Sequence, residues 1–345
     1  MVGRVSAIQR SGSLLTLSPR DRHLPAVEAQ GYVVGDAEPL AVALHRLTTE
    51  QFTVAIDALG DPSADVGLAT TAAIRAMSRI AAVLRLVRSS IGDEAYRTEL
   101  TILRDTTALL ETLLEGQPEL RALDTLRARF QGVLDAEAFA GLRHQLHQRH
   151  RLRRLQALAE GEALQQALHR LRRARARFAA WPIDMRTDAQ MYGREPVADA
   201  FESIAIGLGR TYRRGRSSWR AVEDGDQQAL PKLLRESRHL GHQLSIVSSS
   251  WPEVLGAAAQ TCARLEAVLA EDQAMAALTD ALTDNETLVV DPTERAMLDA
   301  LVVGTRAELG SVISTIGTRV YVEPPKAFLA RMEAYWRARG LDSGA

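Results

Sequence analysis

Apolar positions recur at steps of three and four along most of the chain, a pattern that predicts helices rather than strands. Leu40, Leu44, Leu47 and Phe52 form the first stripe. Asp36 stands as its N-cap, Pro39 falls in its first turn, and Gly60-Asp61-Pro62-Ser63 ends it. Ile74, Met77, Ile80, Ala81, Leu84 and Val87 predict a long helix over 67–90, broken at Ser89-Ser90-Ile91-Gly92. Asp93 is placed to cap a helix to Leu114, and Gly116-Gln117-Pro118 breaks the chain again. Helices are predicted over 118–132, 135–159 and 161–180, the last closed by Trp181-Pro182.

The second half repeats this style. A helix from Glu195-Pro196 to Val222 is followed by others over 226–248, from Trp251-Pro252 to Leu269, and over 271–283 and 292–319. Val320 to Pro325 is expected to be extended, because proline disfavours helix in the residue before it. A final helix is predicted over 326–339. Residues 1–30 lack an apolar period, carry Gly12, Pro19 and Pro25, and read as a tail, as do 341–345. Glu38-Pro39-Leu40 through Leu44 matches Glu195-Pro196-Val197 through Phe201, and Leu84-Arg85-Leu86-Val87 matches Leu244-Ser245-Ile246-Val247. The offsets are nearly equal, which predicts an internal duplication: one helical bundle over 31–190 and a second over 191–340.

Composition agrees with an all-α chain. Of 345 residues, 46% are hydrophobic and 25% charged, but only 5% are aromatic. Ala and Leu dominate the apolar set, which suits helix packing better than sheets. The single cysteine, Cys262, excludes an intrachain disulfide and fits a reducing compartment. No apolar run is expected to reach the roughly 20 residues of a membrane span, and the first residues are too polar for a secretory leader. A cytoplasmic protein with no membrane partner is the expectation.

Net charge is only −1, but charge is segregated along the chain. Lys232 and Lys326 are the only lysines, so the cations are arginines, which bind phosphate in a bidentate manner that lysine cannot match. Arg143–Arg177 contains ten Arg, four His and only Glu160 and Glu162, whereas Glu266–Asp299 holds nine acids and one Arg. Such blocks suggest a basic and an acidic face.

No catalytic signature is visible: there is no Walker loop, no G-x-G-x-x-G after a strand and no H-E-x-x-H. No cofactor and no catalytic residue are therefore assigned. His144, His147 and His150 have a possible metal-ligand spacing, but the three converge poorly on a helix and lie among arginines. The alternative is a solvated or anion-facing helix. More specific are the arginine pairs. Arg75 and Arg79 share a helix face, as do Arg210 and Arg214 beside Arg213. Arg235, Arg238 and His242 form a third row, and Arg172, Arg173 and Arg177 a fourth. Either a polyanion or neighbouring carboxylates would relieve their repulsion.

Several of these stretches resemble the CHAD family, the conserved histidine α-helical domain. Gly31-Tyr32-Val33 to Leu40, and Leu47-Thr48-Thr49-Glu50-Gln51, are similar to its opening. Arg75 to Arg88 resembles its first long helix, and Leu103-Arg104-Asp105 the next. Leu171 to Arg177 with Trp181-Pro182, and Gly209-Arg210-Thr211-Tyr212-Arg213-Arg214-Gly215-Arg216, resemble later segments. Pro325-Lys326-Ala327-Phe328 with Tyr335-Trp336 resembles its end. The resemblance implies two pseudo-symmetric antiparallel four-helix bundles around a basic channel that binds inorganic polyphosphate, in some members at a storage granule. The family's histidine positions fall here on Ala72, Pro231 and Gln273, and two lysine positions on Ala76 and Ser78. No E-x-E-x-K occurs, so triphosphatase activity is not implied.

The resulting expectation is a non-catalytic module for polyphosphate or another polyanion. Arg75, Arg79, Arg104, Arg210, Arg213, Arg214, Arg235, Arg238 and Lys326 would contact phosphate oxygens. Tyr212 would pack or orient an arginine. Losing cations weakens such a site, because affinity rests on counterion release. The alternative is a degenerate scaffold acting through a protein partner or a granule surface. Nucleic acid fits less well, since aromatics for base stacking are scarce along the basic run.

Overall fold

The computed structural model describes residues 32–35, 38–114, 118–135, 137–159, 162–179, 197–283, 288 and 290–339, without the side chains of 157–159. Of these residues 84% are helical, and no strand occurs among them. The first half supplies α1 (Leu40–Gly60), α2 (Val66–Leu86), α3 (Arg88–Ile91), α4 (Asp93–Glu111), α5 (Pro118–Arg129), α6 (Ala140–Ala159) and α7 (Glu162–Phe178). The second supplies α8 (Glu202–Glu223), α9 (Leu230–Ile246), α10 (Ala257–Thr283), α11 (Pro292–Tyr321) and α12 (Pro325–Ala338). The Asp36 cap, the Gly116-Gln117 break, Trp181-Pro182, Glu195-Pro196 and both tails lie outside the described residues.

Packing follows the apolar stripes. α1 contacts α2, α2 contacts α4, α4 contacts α7, and α7 returns to α1. Leu44, Phe52, Ile80, Leu84, Leu103 and Phe178 are buried at the centre of this cycle. A second cycle runs through α8, α9, α10 and α11 and back to α8. α2 joins the two by packing on both α8 and α9. The helices α5 and α6 follow a different course. Leu120, Leu123 and Leu126 of α5, with Leu142 and Leu146 of α6, share a core with Met275, Leu278, Leu298 and Val302 of α10 and α11. The described residues from Val33 onward form one compact unit.

The structure moves several predicted boundaries. The long helix over 67–90 stops at Leu86, where Val87 leaves helical geometry, and a single turn, α3, precedes Gly92. Asp93 lies inside the first turn of α4 rather than capping it, and bonds Arg88 at 2.7 Å. The helix expected from 135 starts at Ala140, after Phe139 at φ 61°. The predicted break at 270 is absent: α10 runs unbroken through Ala270, a good helix former. The extended segment is also shorter. α11 continues to Tyr321, and Pro324 (φ −60°, ψ 144°) is extended, as a residue that itself precedes a proline should be.

By length and composition α2 meets the threshold for a membrane span, with a mean hydropathy of 1.2, contrary to the expectation from sequence. Its contacts explain that apolarity: α1, α4, α8 and α9 all pack on it. It is a core helix that also carries Arg75, Arg79 and Arg85.

Candidate functional site

Small residues set the approach of α8 to its neighbours. A Cβ at Gly207 would overlap the carbonyl oxygens of Arg85 and Leu86, so only glycine lets α8 press on the end of α2. Arg210 and Arg214 lie three and seven residues on, along the same side of α8. The opposite side serves as an anchor. Gly209 faces Leu329 of α12, and Gly215 leaves space for the Tyr321 ring. The Tyr212 hydroxyl donates to the Glu323 carbonyl at 3.0 Å, its ring stacks on Phe328 at 3.9 Å, and burial pushes its pKa up to about 12. Arg216 Nε donates to the Tyr321 carbonyl at 3.0 Å. Tyr212 is therefore a packing residue, and half of the Gly209–Arg216 motif holds α11 and α12 in place.

α9 lies along α2 in the opposite direction. Near one end His242 meets Arg79; further along, Arg85 pairs with Glu236 at 3.2 Å. This brings together Arg75, Arg79 and Arg85 of α2, Arg214 of α8, and Arg235, Arg238, His239 and His242 of α9. Burial, followed by Arg79, Arg238 and Arg75, pushes the pKa of His242 down to about 3. Burial, followed by Arg85, His242, Arg238 and Arg235, pushes His239 well below its usual value. Burial also lowers Arg85, which Glu236 pulls back up and Arg235 and Arg214 push down. Arg210 sits at the end of the row, where it joins Arg88 and Arg97 in holding the Asp93 carboxylate below the usual range.

Two carboxylates enter this seam. Glu236 has a side chain only 1% exposed, bonds Arg85 and lies 3.6 Å from Arg235. Glu266, from the acidic stretch on α10, bonds Arg238 at 2.7 Å. Arg79 Nη1 also donates to Gln51 Oε1 at 3.3 Å. Even so, polar atoms remain unsatisfied. Ser78 Oγ, Arg85 Nε, Arg210 Nη1, His239 Nδ1 and Gln243 Oε1 are buried without a hydrogen-bond partner. Such groups are few in most proteins; these five lie on α2, α8 and α9, and a second set, Glu119 Oε2, Arg149 Nε and Nη1 and the two His150 nitrogens, lies on α5 and α6.

Not every predicted residue joins the seam. Arg104 is exposed on α4, Arg213 on α8 and Lys326 in the first turn of α12, and none has an interaction with the seam among the described residues. The dense Arg143–Arg177 block is partly neutralised by ion pairs. Arg143 bonds Asp124 at 2.7 Å, Arg149 bonds Glu119 at 3.2 Å, and Arg177 bonds Glu99 at 2.6 Å. His144 and His147 are exposed while His150 is buried beside Glu119, so the three histidines do not converge. Arg85 and His239 were missed. Arg85 is embedded in an apolar run, and His239 looks like a stripe position; only the facing helix gives either a role. No family model matches the chain, and no curated protein is significantly similar to it.

Proposed function

We propose that the chain is a CHAD-like, non-catalytic module that binds a linear polyanion, inorganic polyphosphate, along the α2–α8–α9 seam. The observation that carries this reading is the convergence of Arg75, Arg79, Arg85, Arg214, Arg235 and Arg238 in one place, with unsatisfied polar atoms among them. Guanidinium forks suit phosphate oxygens, and an anion would relieve the arginine repulsion that adds to burial in holding both histidines neutral. We read the two helix cycles as two pseudo-symmetric four-helix bundles. In support, Val87 and Val247 end α2 and α9 with φ, ψ of −91°, 9° and −94°, 7°. Cytoplasmic placement, with a storage granule as one setting, belongs to the same proposal.

A second reading has its own observation. Glu236 and Glu266 already neutralise part of the seam, as in a scaffold that has lost its ligand and acts through protein or granule contacts. Long-chain polyphosphate, titrated by thermal shift and gel shift across a salt series, separates the two. Binding should weaken linearly in log salt, and Arg75→Gln with Arg79→Gln should reduce that slope. Absence of binding at low ionic strength would favour the scaffold. Preferential binding of DNA in competition would overturn both.

A further inference from the structure

Away from the seam, α9, α10, α11 and α12 surround a cavity of about 220 Å³. Its floor is apolar: Leu240, Leu244, Leu255, Ile316, Phe328 and Met332 line it and are buried. Cys262 also lines it, with a thiol that burial and then Glu266 push up to about 12, so it behaves as a small apolar group. Leu255 lies in a π-helical turn, Pro252–Gly256, which opens α10. Such turns are frequent at functional sites.

The rim has a different character. Arg264 of α10, Arg319 of α11 and Arg331 of α12 line the same cavity, and no acidic residue among the described residues does. Arg331 is fixed by Glu323 at 2.9 Å and lies over the Tyr335 ring. Arg264 and Arg319 are exposed and form no ion pair among the described residues. Exposed side chains that line a cavity with a buried floor stand at its mouth.

Two ligand classes are disfavoured by this arrangement. A polyphosphate segment would lose hydration against Leu, Ile and Phe without compensating bonds. A purely apolar ligand would gain nothing from the cations at the mouth. The complementary ligand has an apolar tail and one anionic head. The cavity is smaller than the roughly 300–1,000 Å³ of a drug-sized site, which limits the tail to a short single chain. We propose that this cavity binds a short-chain anionic amphiphile, its tail against Leu240, Leu244 and Phe328 and its head between Arg264 and Arg319.

Isothermal titration of the full chain with octanoate, octyl phosphate, 1-octanol and octylamine tests this. Octanoate and octyl phosphate should bind at least tenfold more tightly than 1-octanol and octylamine. Comparing the two anions distinguishes a carboxylate from a phosphate head. In Arg264→Gln/Arg319→Gln, octanoate should fall to the level of 1-octanol. Ala258→Trp, which fills the cavity from α10, should abolish binding of both anions. The arginine substitutions are on exposed side chains, so they keep the test decisive if the tryptophan variant does not fold. Equal affinity for octanoate and 1-octanol, no octanoate binding, or binding unchanged by the double substitution would overturn the proposal. Polyphosphate binding at the seam is measured separately and should be unaffected by these variants.

Discussion

Glu236 is the residue on which the electrostatics of the seam turn. It is buried, and both Arg85 and Arg235 depend on it. Removing one member of a buried pair leaves an uncompensated charge, at a cost of about 3–5 kcal/mol. Glu236→Gln should therefore destabilise the protein by about 3 kcal/mol in urea unfolding. Arg85→Met should cost less, because Arg235 remains beside the carboxylate. Equal losses would show that Arg235 does not compensate. His239, which is buried, and His242, which is half-buried, set a pH dependence whose sign is fixed. Their folded pKa values lie below the ordinary value of 6.5, so the unfolded chain takes up protons first on acidification. Stability is complete above about pH 6.5 and falls towards pH 3, at most by about 1.4 kcal/mol per pH unit for each histidine. Thermal unfolding between pH 7.5 and 4.5 should show this fall, and His242→Gln should flatten it. The spacing of Arg235, Arg238 and His242 was legible in the sequence. That Arg75 and Arg79 face them from α2 was not, because a local pattern says nothing of which helix lies opposite.

The close contact of α8 with α2 depends on one glycine. In Gly207→Ala the new Cβ meets the backbone of Arg85 and Leu86, which cannot turn aside as a side chain can. Overpacking of this kind costs typically about 1–3 kcal/mol. The helices should also separate, moving Arg214 away from Arg85 and lowering polyphosphate affinity more than stability alone predicts. Gly304→Ala in α11 is the control, since nothing lies within 4 Å of its Cβ position. That change should stabilise by about 0.5–1 kcal/mol, as expected for glycine in a helix interior. Helix existence was readable from the stripes, from Leu40–Phe52 through Ile74–Leu84. Helix ends were less so where they depend on distant partners. Asp199 lies ahead of α8, and its carboxylate accepts a hydrogen bond from the Leu40 amide at 2.9 Å, at the start of α1. No local signal marks a contact across that length of chain.

The duplication expected from the sequence and the packing do not coincide. The sequence offsets divide the chain near residue 190, but α5 and α6 bury Leu123, Leu126 and Leu142 against α10 and α11 on the far side of that division. The seam also lies between halves, with α2 on one side and α8 and α9 on the other. A fragment of residues 33–190 would therefore expose the outer faces of α2 and α5 to water. Each buried leucine left exposed loses about 1.5–3 kcal/mol, and a folded domain retains only about 5–15 kcal/mol in total. Residues 33–190 and 191–339, expressed separately, should each lack a cooperative thermal transition, while co-expression should restore one complex that melts as a unit. Polyphosphate should then stabilise the complex and neither fragment, because Arg75 and Arg79 come from one piece and Arg235 and Arg238 from the other. A half that melts cooperatively and binds polyphosphate alone would instead place the site within one bundle, and the α2–α9 seam would be a packing interface whose arginines serve the fold.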